Sequence, residues 1–376
     1  MSAAVRRKRA ASPDLIATAS ALVALAVVAA AGLQSRRPIA PPRVKGAASR
    51  FPSTEADLPE TRSGAEAKGR AAETPVEIPA RGWKDIALRV YGEIASDRLL
   101  AVAAGVTFYA LLALFPAIVA LVSLYGLTAD LGSLRDHLDT FRGVAPKAAI
   151  DFVGEQVARI VTKSDGQLGF AFVFGLATAL WSSNAGVKAM FDALNVVYEE
   201  REKRSFIMLN LSSLAFTLGA ILFVLLAFNA VVVLPIALRF VWLGDFAETL
   251  ISLGRWPVLF LSVLFGLTLL YRFGPSRRSP KWRWAAPGSL AAGALWVAGS
   301  VGFSWYAENL ANFDKTYGPL GAAIGFMLWM WMSVIVVLLG GELNAEMEHQ
   351  TAKDSTRGAP KPMGLRGARM ADTVAE

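Results

Sequence analysis

The chain has 376 residues, 54% hydrophobic and 18% charged, against about 25% charged in a soluble domain; it carries more apolar matter than a globular core needs and reads as an integral membrane protein. Zero cysteines exclude disulfides, thiolate nucleophiles, iron–sulfur clusters and Cys-ligated zinc, and two histidines leave little for a His-rich metal centre. The net charge of +8 sits between long apolar runs instead of over one face, which marks loop charge and not a nucleic-acid surface.

Residues 15–33 form an Ala-rich apolar run behind Arg6, Arg7, Lys8 and Arg9, the pattern of a signal peptide or of an additional N-terminal helix that spans the membrane or lies in its interface. Residues 34–80 hold seven prolines and one aromatic, Phe51, too little apolar surface to offset the entropy of ordering, and are expected to be a disordered linker. From residue 81 the chain is expected to be a membrane domain ending near 350, with a cytoplasmic tail over 351–376. Six apolar stretches, near 99–127, 168–190, 206–238, 256–273, 285–306 and 319–343, each approach or exceed the roughly 20 residues a helix needs to cross the hydrocarbon. The fold class is all-α, a polytopic transmembrane helix bundle with six core helices. The third stretch is longer than the bilayer is thick, so it must tilt, bend or project, and Pro235 near its end favours a bend.

Lys and Arg alternate between the connections. Residues 81–98, 188–204, 272–283 and the tail after 347 hold 18 of them, whereas 128–167, 239–255 and 307–318 hold 8; by the excess of positive charge in cytoplasmic loops, both ends of the six-helix core face the cytoplasm. In the largest opposite connection, Ile150, Val153, Val157, Ile160 and Val161 recur at helical spacing. That predicts an amphipathic helix, either on the outer membrane surface or packed as a loop helix.

Within the first core stretch, VTFYALLALFPA places Thr107, Tyr109 and Pro116 among aliphatic residues. Pro116 frees a carbonyl one turn earlier, so it is either a packing kink or a hinge lining a cavity. The second stretch and its flank read LWSSNAGVKAMFDALNVVYEEREKR. Asn184 is costly in hydrocarbon and should face another helix; with Lys188, Asp192 and Asn195, at offsets of four, four and three, it aligns as a polar ladder. The plain alternative is a Lys to Asp surface salt bridge near a helix end.

The basic loop YRFGPSRRSPKWRW at 271–284 mixes five cations with Trp282 and Trp284, a composition suited to anionic lipid headgroups. Nucleic acid would use the same residues, but the loop's place between two spans favours lipid. Before the last helix, TYGPLGAAIGF carries Gly318, Pro319 at a first turn, and Gly321 with Gly325 as a small-xxx-small face; Gly340 and Gly341 continue that surface, so this helix should be central. It ends LLGGELNAEMEHQT, which puts Glu342, Glu346 and His349 on one face, with Asn344 between them. Glu-x-x-His is half of a bundle metal motif, but the other histidine, His137, lies across the membrane, so no metal is expected. An ion pair of Glu342 with Lys188 or an arginine is expected instead. No internal repeat supports an inverted-repeat transporter.

These motifs, in this order, resemble the YihY / virulence factor BrkB family of bacterial inner-membrane proteins, from about Trp83 to Gln350. The resemblance is carried by FYALLALFPA, LWSSNAGVKAMFDALNVVYEEREKR, TYGPLGAAIGF and LLGGELNAEMEHQ, and it implies that Asn184, Lys188, Asp192, Asn195, Glu342, Asn344 and Glu346 are characteristic polar positions. The family has carried a ribonuclease label, ribonuclease BN; the His and carboxylate cluster that a metal nuclease needs is missing here. What the resemblance implies is a multi-pass protein of the cell envelope, a transporter or lipid-handling protein without a cofactor and not an enzyme. Its path would be formed by core helices two and six: Asn184 offers hydrogen bonds, Lys188 attracts an anionic group, and Glu342 or Glu346 balances charge or carries a proton. The competing expectation is a scaffold docking an envelope partner or a second copy of the chain, its polar residues gluing helices together.

Overall fold

The computed structural model describes residues 68–128, 150–151, 154–155, 168–228, 245–311, 313, 317 and 320–375. These are helical, with no strand among them beyond one isolated bridge, Pro280 to Thr356. After a 3-10 turn at Pro75–Glu77 come α1 (Ala80–Ser96), α2 (Leu99–Thr128), α3 (Leu168–Val197), α4 (Phe206–Phe228), α5 (Asp245–Phe273), α6 (Trp282–Asn309), α7 (Gly321–Gln350) and the single turn α8 (Arg369–Asp372). The helices α2 to α7 overlap the six expected stretches; the end of the third, 229–238 with the bend expected near Pro235, lies outside the described residues. Residues 15–33, most of the 34–80 linker, Gly318 and most of the expected 150–161 helix lie outside the described residues; Ile150, Asp151, Gly154 and Glu155 of the last are helical.

Among the described residues, four helices are by themselves long and apolar enough to cross a membrane, with cores at Phe206–Val224, Leu253–Phe273, Trp282–Asn309 and Gly321–Gln350, and a fifth span is made if Ala80–Ser96 and Leu99–Leu114, bent 65° from each other, count as one. The bend falls at Arg98, whose φ of 51° lies in the left-handed region that costs a non-glycine residue energy. What commits the molecule to lipid is its outside: on α4 Phe206 is 80% exposed and Ile207 78% exposed, with Leu211, Leu218 and Leu222 also turned outward. A soluble protein does not present so continuous an apolar surface to water.

Helices α3 and α7 run 30 residues each, about 45 Å at 1.5 Å per residue, and so outlast the roughly 30 Å hydrocarbon core. Both overrun at the same end. The starts of α2, α4 and α6 and the ends of α3, α5 and α7 gather there with α1 and the tail, around a core of Leu99, Leu194, Tyr198, Tyr271, Leu338 and Met370. A second cluster joins Ile86 of α1 to Trp284 and Met347, and takes in Ala72 and Ile78. Residues 68–79 therefore belong to the folded unit and not to a disordered linker: Gln350 donates to the Lys68 carbonyl at 2.7 Å and Thr351 to that of Ala72 at 2.6 Å. Composition misled there because two buried apolar side chains suffice once a preformed surface receives them.

The tail is equally built. Arg366 donates to the carbonyls of Ala352, Lys353 and Ala371, and Asp372 accepts from the N–H groups of Gly364, Arg366 and Gly367. Between α6 and α7 the backbones touch: a Cβ on Gly288 would overlap the Gly340 carbonyl oxygen and the Asn344 amide, well inside 3.0 Å. Close approach through small residues is the usual basis of helix association in lipid, reinforced by interhelical bonds. Trp296 donates to Ser333 at 3.0 Å, Trp329 to Ser300 at 3.1 Å and Tyr271 to the Val337 carbonyl at 2.7 Å.

Candidate functional site

Each predicted polar residue finds a definite place, but they do not form one path. On α3, half-buried Asn184 accepts from Ser213 of α4 at 2.5 Å, and Lys188 donates to Asn210 at 2.5 Å. Both face α4 instead of α7. Asp192 is exposed, off the expected ladder. Buried Asn195 accepts the Ser276 N–H at 2.7 Å and donates to Glu202 at 3.2 Å, so it stitches the end of α3 to the two neighbouring connections. Tyr109 is exposed and stacks edge-on against Phe108; Pro116 lies within the helical run of α2, its side chain outside the described residues. Gly321, Gly325, Gly340 and Gly341 are all buried, and Gly341 sits against Leu194 and Val197 of α3.

On α7, Asn344 uses both edges of its amide on α6, accepting from the Gly288 N–H at 2.8 Å and donating to the Ala285 carbonyl at 3.0 Å. Glu346 pairs with Arg89 of α1, whose guanidinium also donates to Gln350 at 2.6 Å. Glu348 and Arg277 form a fully buried bidentate pair, at 2.6 and 3.1 Å, with Ser355 donating to Glu348 at 2.6 Å and the guanidinium 4.2 Å above the Tyr198 ring. That pair was not foreseen, because each partner reads alone as one more charge at a helix end. Part of the 271–284 loop is turned into the protein. Arg277 is turned inward, Arg272 is buried over Trp282 and bonded to the Pro280 carbonyl, and Trp284 is in the core.

Glu342 stands apart. It is fully buried, and its carboxyl meets no donor other than the neighbouring carboxyl of Asp97. No ion pair with Lys188 or an arginine forms. The ionisable group bearing most strongly on it is another carboxyl, Asp97, in the break between α1 and α2. The hydroxyl of Tyr198 is also buried, beside the Asn344 side chain, and burial pushes its phenol well above the ordinary range, keeping it neutral. Buried carboxyls are ordinarily answered by a cation or an N–H donor, so one that is faced by a second carboxyl marks a place built for something besides packing. Among the described residues no group of three His, Cys, Asp or Glu is placed to hold a metal ion.

Beside this chamber, a cavity of about 580 Å3 opens between the start of α4 and the 274–281 connection. Behind Arg204 of its lining, Glu202 accepts from that guanidinium at 2.7 and 2.8 Å, and those bonds hold its carboxyl down to about 2 from an ordinary 4.5. A lowered folded value gives stability that is complete above pH 4.5 and lost as the pH falls towards 2. The stability gap between the native chain and Glu202→Gln is therefore expected at pH 6 and closed near pH 2, as read by melting temperature in detergent; a gap constant with pH would refute the assignment.

Apolar spans, close helix crossings and a sealed polar end define an integral-membrane helix bundle. The chain belongs to the virulence factor BrkB family, whose model matches residues 90–364. It is 32% identical over 251 residues to a ribonuclease-like protein, YfkH, of Bacillus subtilis (strain 168), covering 64% of this chain and 87% of that one. It is 25% identical over 274 residues to the UPF0761 membrane protein NTHI0384 of Haemophilus influenzae (strain 86-028NP), covering 70% and 96%, and 23% identical over 262 residues to the UPF0761 membrane protein MS0032 of Mannheimia succiniciproducens, covering 68% and 86%. No solved structure matches it.

Proposed function

We propose that the protein is a transporter or lipid-handling protein of the bacterial inner membrane, with its polar end in the cytoplasm and Glu342 as the group that carries a proton or balances cargo charge. The observation that carries this reading is the buried Glu342, whose carboxyl meets no cation and is faced by a second carboxyl, Asp97. An isolated carboxylate in that setting is uncompensated, and an ionisable group retained inside a membrane bundle is by default a functional one. Orientation is supported by the clustering at one end of the elements that hold the 18 basic residues. Asn184, Lys188, Asn344 and Glu346 already have partners and act as helix glue in this reading; Asp192, Asn195, Tyr109 and Pro116 carry no step.

Reconstituted vesicles holding a fluorescent phosphatidylglycerol, with outer-leaflet dye quenched chemically, test it. Lipid crossing well above that of empty vesicles is expected, with a fall of about tenfold or more in Glu342→Gln at an unchanged melting temperature. Asn184→Leu should instead cost the roughly 0.6–1.7 kcal/mol of an interhelical hydrogen bond, read as a lower melting temperature. A native chain no faster than empty vesicles, with Glu342→Gln simply less stable, would leave the scaffold reading, in which the polar end docks an envelope partner or a second copy.

A further inference from the structure

The geometry points to the cavity between α4 and the 274–281 connection as a binding site for the phosphate of an anionic glycerophospholipid, its acyl chains running along the outer face of α4. Four cations line one side, Lys203, Arg204, Arg277 and Arg278, and no carboxylate lines any of it. The acids that pair with three of them stand behind: Glu200 holds Lys203 at 2.6 Å, Glu202 holds Arg204 at 2.7 Å and Glu348 holds Arg277 at 2.6 Å. Their role is to fix the cations in place. Arg278 differs, because its Nη1 is buried with no hydrogen-bond partner. A guanidinium edge left open beside an exposed ammonium, Lys203 at 59%, is a receptor for a phosphate oxygen pair.

The opposite wall is apolar. Met208, Ala215 and Phe216 lie along one face of α4, and Phe273 closes it at the end of α5. Met208 and Ala215 are exposed on a helix that otherwise faces lipid. Cations at the mouth and hydrocarbon down one membrane-spanning wall repeat the profile of a phospholipid: charge at the interface, chains below. A soluble phosphate would use the first half and leave the second without purpose. In naming the ligand, the proposal rests on the lipid-handling reading above.

The test is native mass spectrometry of the full chain in detergent, titrated separately with phosphatidylglycerol, phosphatidylcholine and free glycerol 1-phosphate. One saturable phosphatidylglycerol site is expected, about tenfold or more tighter than for either of the others. Arg278→Gln should weaken phosphatidylglycerol about tenfold, through loss of the phosphate contact. Ala215→Trp, which fills the apolar groove from an exposed position and spares the fold, should weaken the lipid and not glycerol phosphate. Equal binding of the two lipids would overturn the proposal, as would glycerol phosphate binding as tightly as the lipid with Ala215→Trp inert, the mark of a soluble-anion site. Failure here and failure of the transport reading separate cleanly: a chain that binds phosphatidylglycerol in this cavity but moves none across vesicles keeps the site and removes transport, and the reverse pattern removes the site alone.

Discussion

Gly288→Val is expected to disassemble the α6 and α7 pair, and Gly288→Ala to cost about 3 kcal/mol or more, read as a fall in melting temperature in detergent. The reason lies in what a Cβ would meet: the backbone carbonyl of Gly340, which cannot swing aside, and the side-chain amide of Asn344, which two hydrogen bonds hold in place. The helices would have to separate. Separation also strips Asn344 of its bonds to the Gly288 N–H and the Ala285 carbonyl, and moves Gly340 away from the Tyr271 hydroxyl that packs on it. In water, hydrophobic burial would offset part of such a shift; in lipid, close packing and interhelical bonds are most of what holds helices together. Gly266→Ala and Gly302→Ala serve as controls, since a Cβ at either meets nothing within 4 Å; they are expected to be neutral, or to gain the several tenths of a kcal/mol by which alanine is the better helix former. Gly288→Ala with an unchanged melting temperature would mean that the two helices do not cross there.

The spans themselves were legible because a run of apolar residues about as long as the bilayer is thick has one economical structure in lipid, a helix. Their ends were not. Apolarity stops near residue 190 in α3 and near 343 in α7, but backbone hydrogen bonding continues to Val197 and Gln350, where the last turns leave the hydrocarbon and pack on the connections and the tail. The polar ladder shows a different limit. Asn184 needed a partner, as its amide implied, yet its periodicity could not tell that the partner is Ser213 of α4. Spacing also overreached at Asp192: eight residues of a 3.6-residue helix turn a side chain about 80° off the starting face, whereas the eleven to Asn195 bring it back within about 20°. Asp192 is accordingly exposed and Asn195 buried. Gly288 passed unnoticed because the small face of α6 is shared among Ala285, Ser289, Ala292 and Gly293 and shows no single repeated glycine spacing. Glu342 was singled out correctly as a residue in need of explanation, but with the wrong neighbour, since Asp97 belongs to a helix break that no hydropathy pattern marks.

Removing either member of the Arg277 and Glu348 pair should cost about 3–5 kcal/mol, because the charge left behind is buried with nothing to answer it. Both side chains are fully inaccessible, and the guanidinium fits its carboxylate with two parallel bonds while stacking 4.2 Å over Tyr198. Glu348 charge holds Arg277 protonated against its burial. Arg277→Lys should recover only part of the loss, since an ammonium offers neither the planar fork nor the stacking surface. The double variant Arg277→Met with Glu348→Met is the decisive one: with both charges gone, apolar side chains of similar length can fill the space, and its loss should be far smaller than the two single losses combined. What remains of that loss reports the orphaned Ser355 hydroxyl, which now donates to Glu348. Strict additivity in this cycle would mean that the two groups do not interact, and the 274–281 connection would then be held by its other bonds to the tail, among them Arg278 N–H to the Gly367 carbonyl, Lys281 N–H to that of Ser355, Arg357 N–H to that of Ser279 and the Lys281 ammonium to that of Asp354. The pair thus decides whether the basic edge of the cavity is a fixed receptor or a loose loop: an Arg278 guanidinium one residue from a locked Arg277 is preorganised for an anion, and preorganisation is what turns clustered charge into affinity.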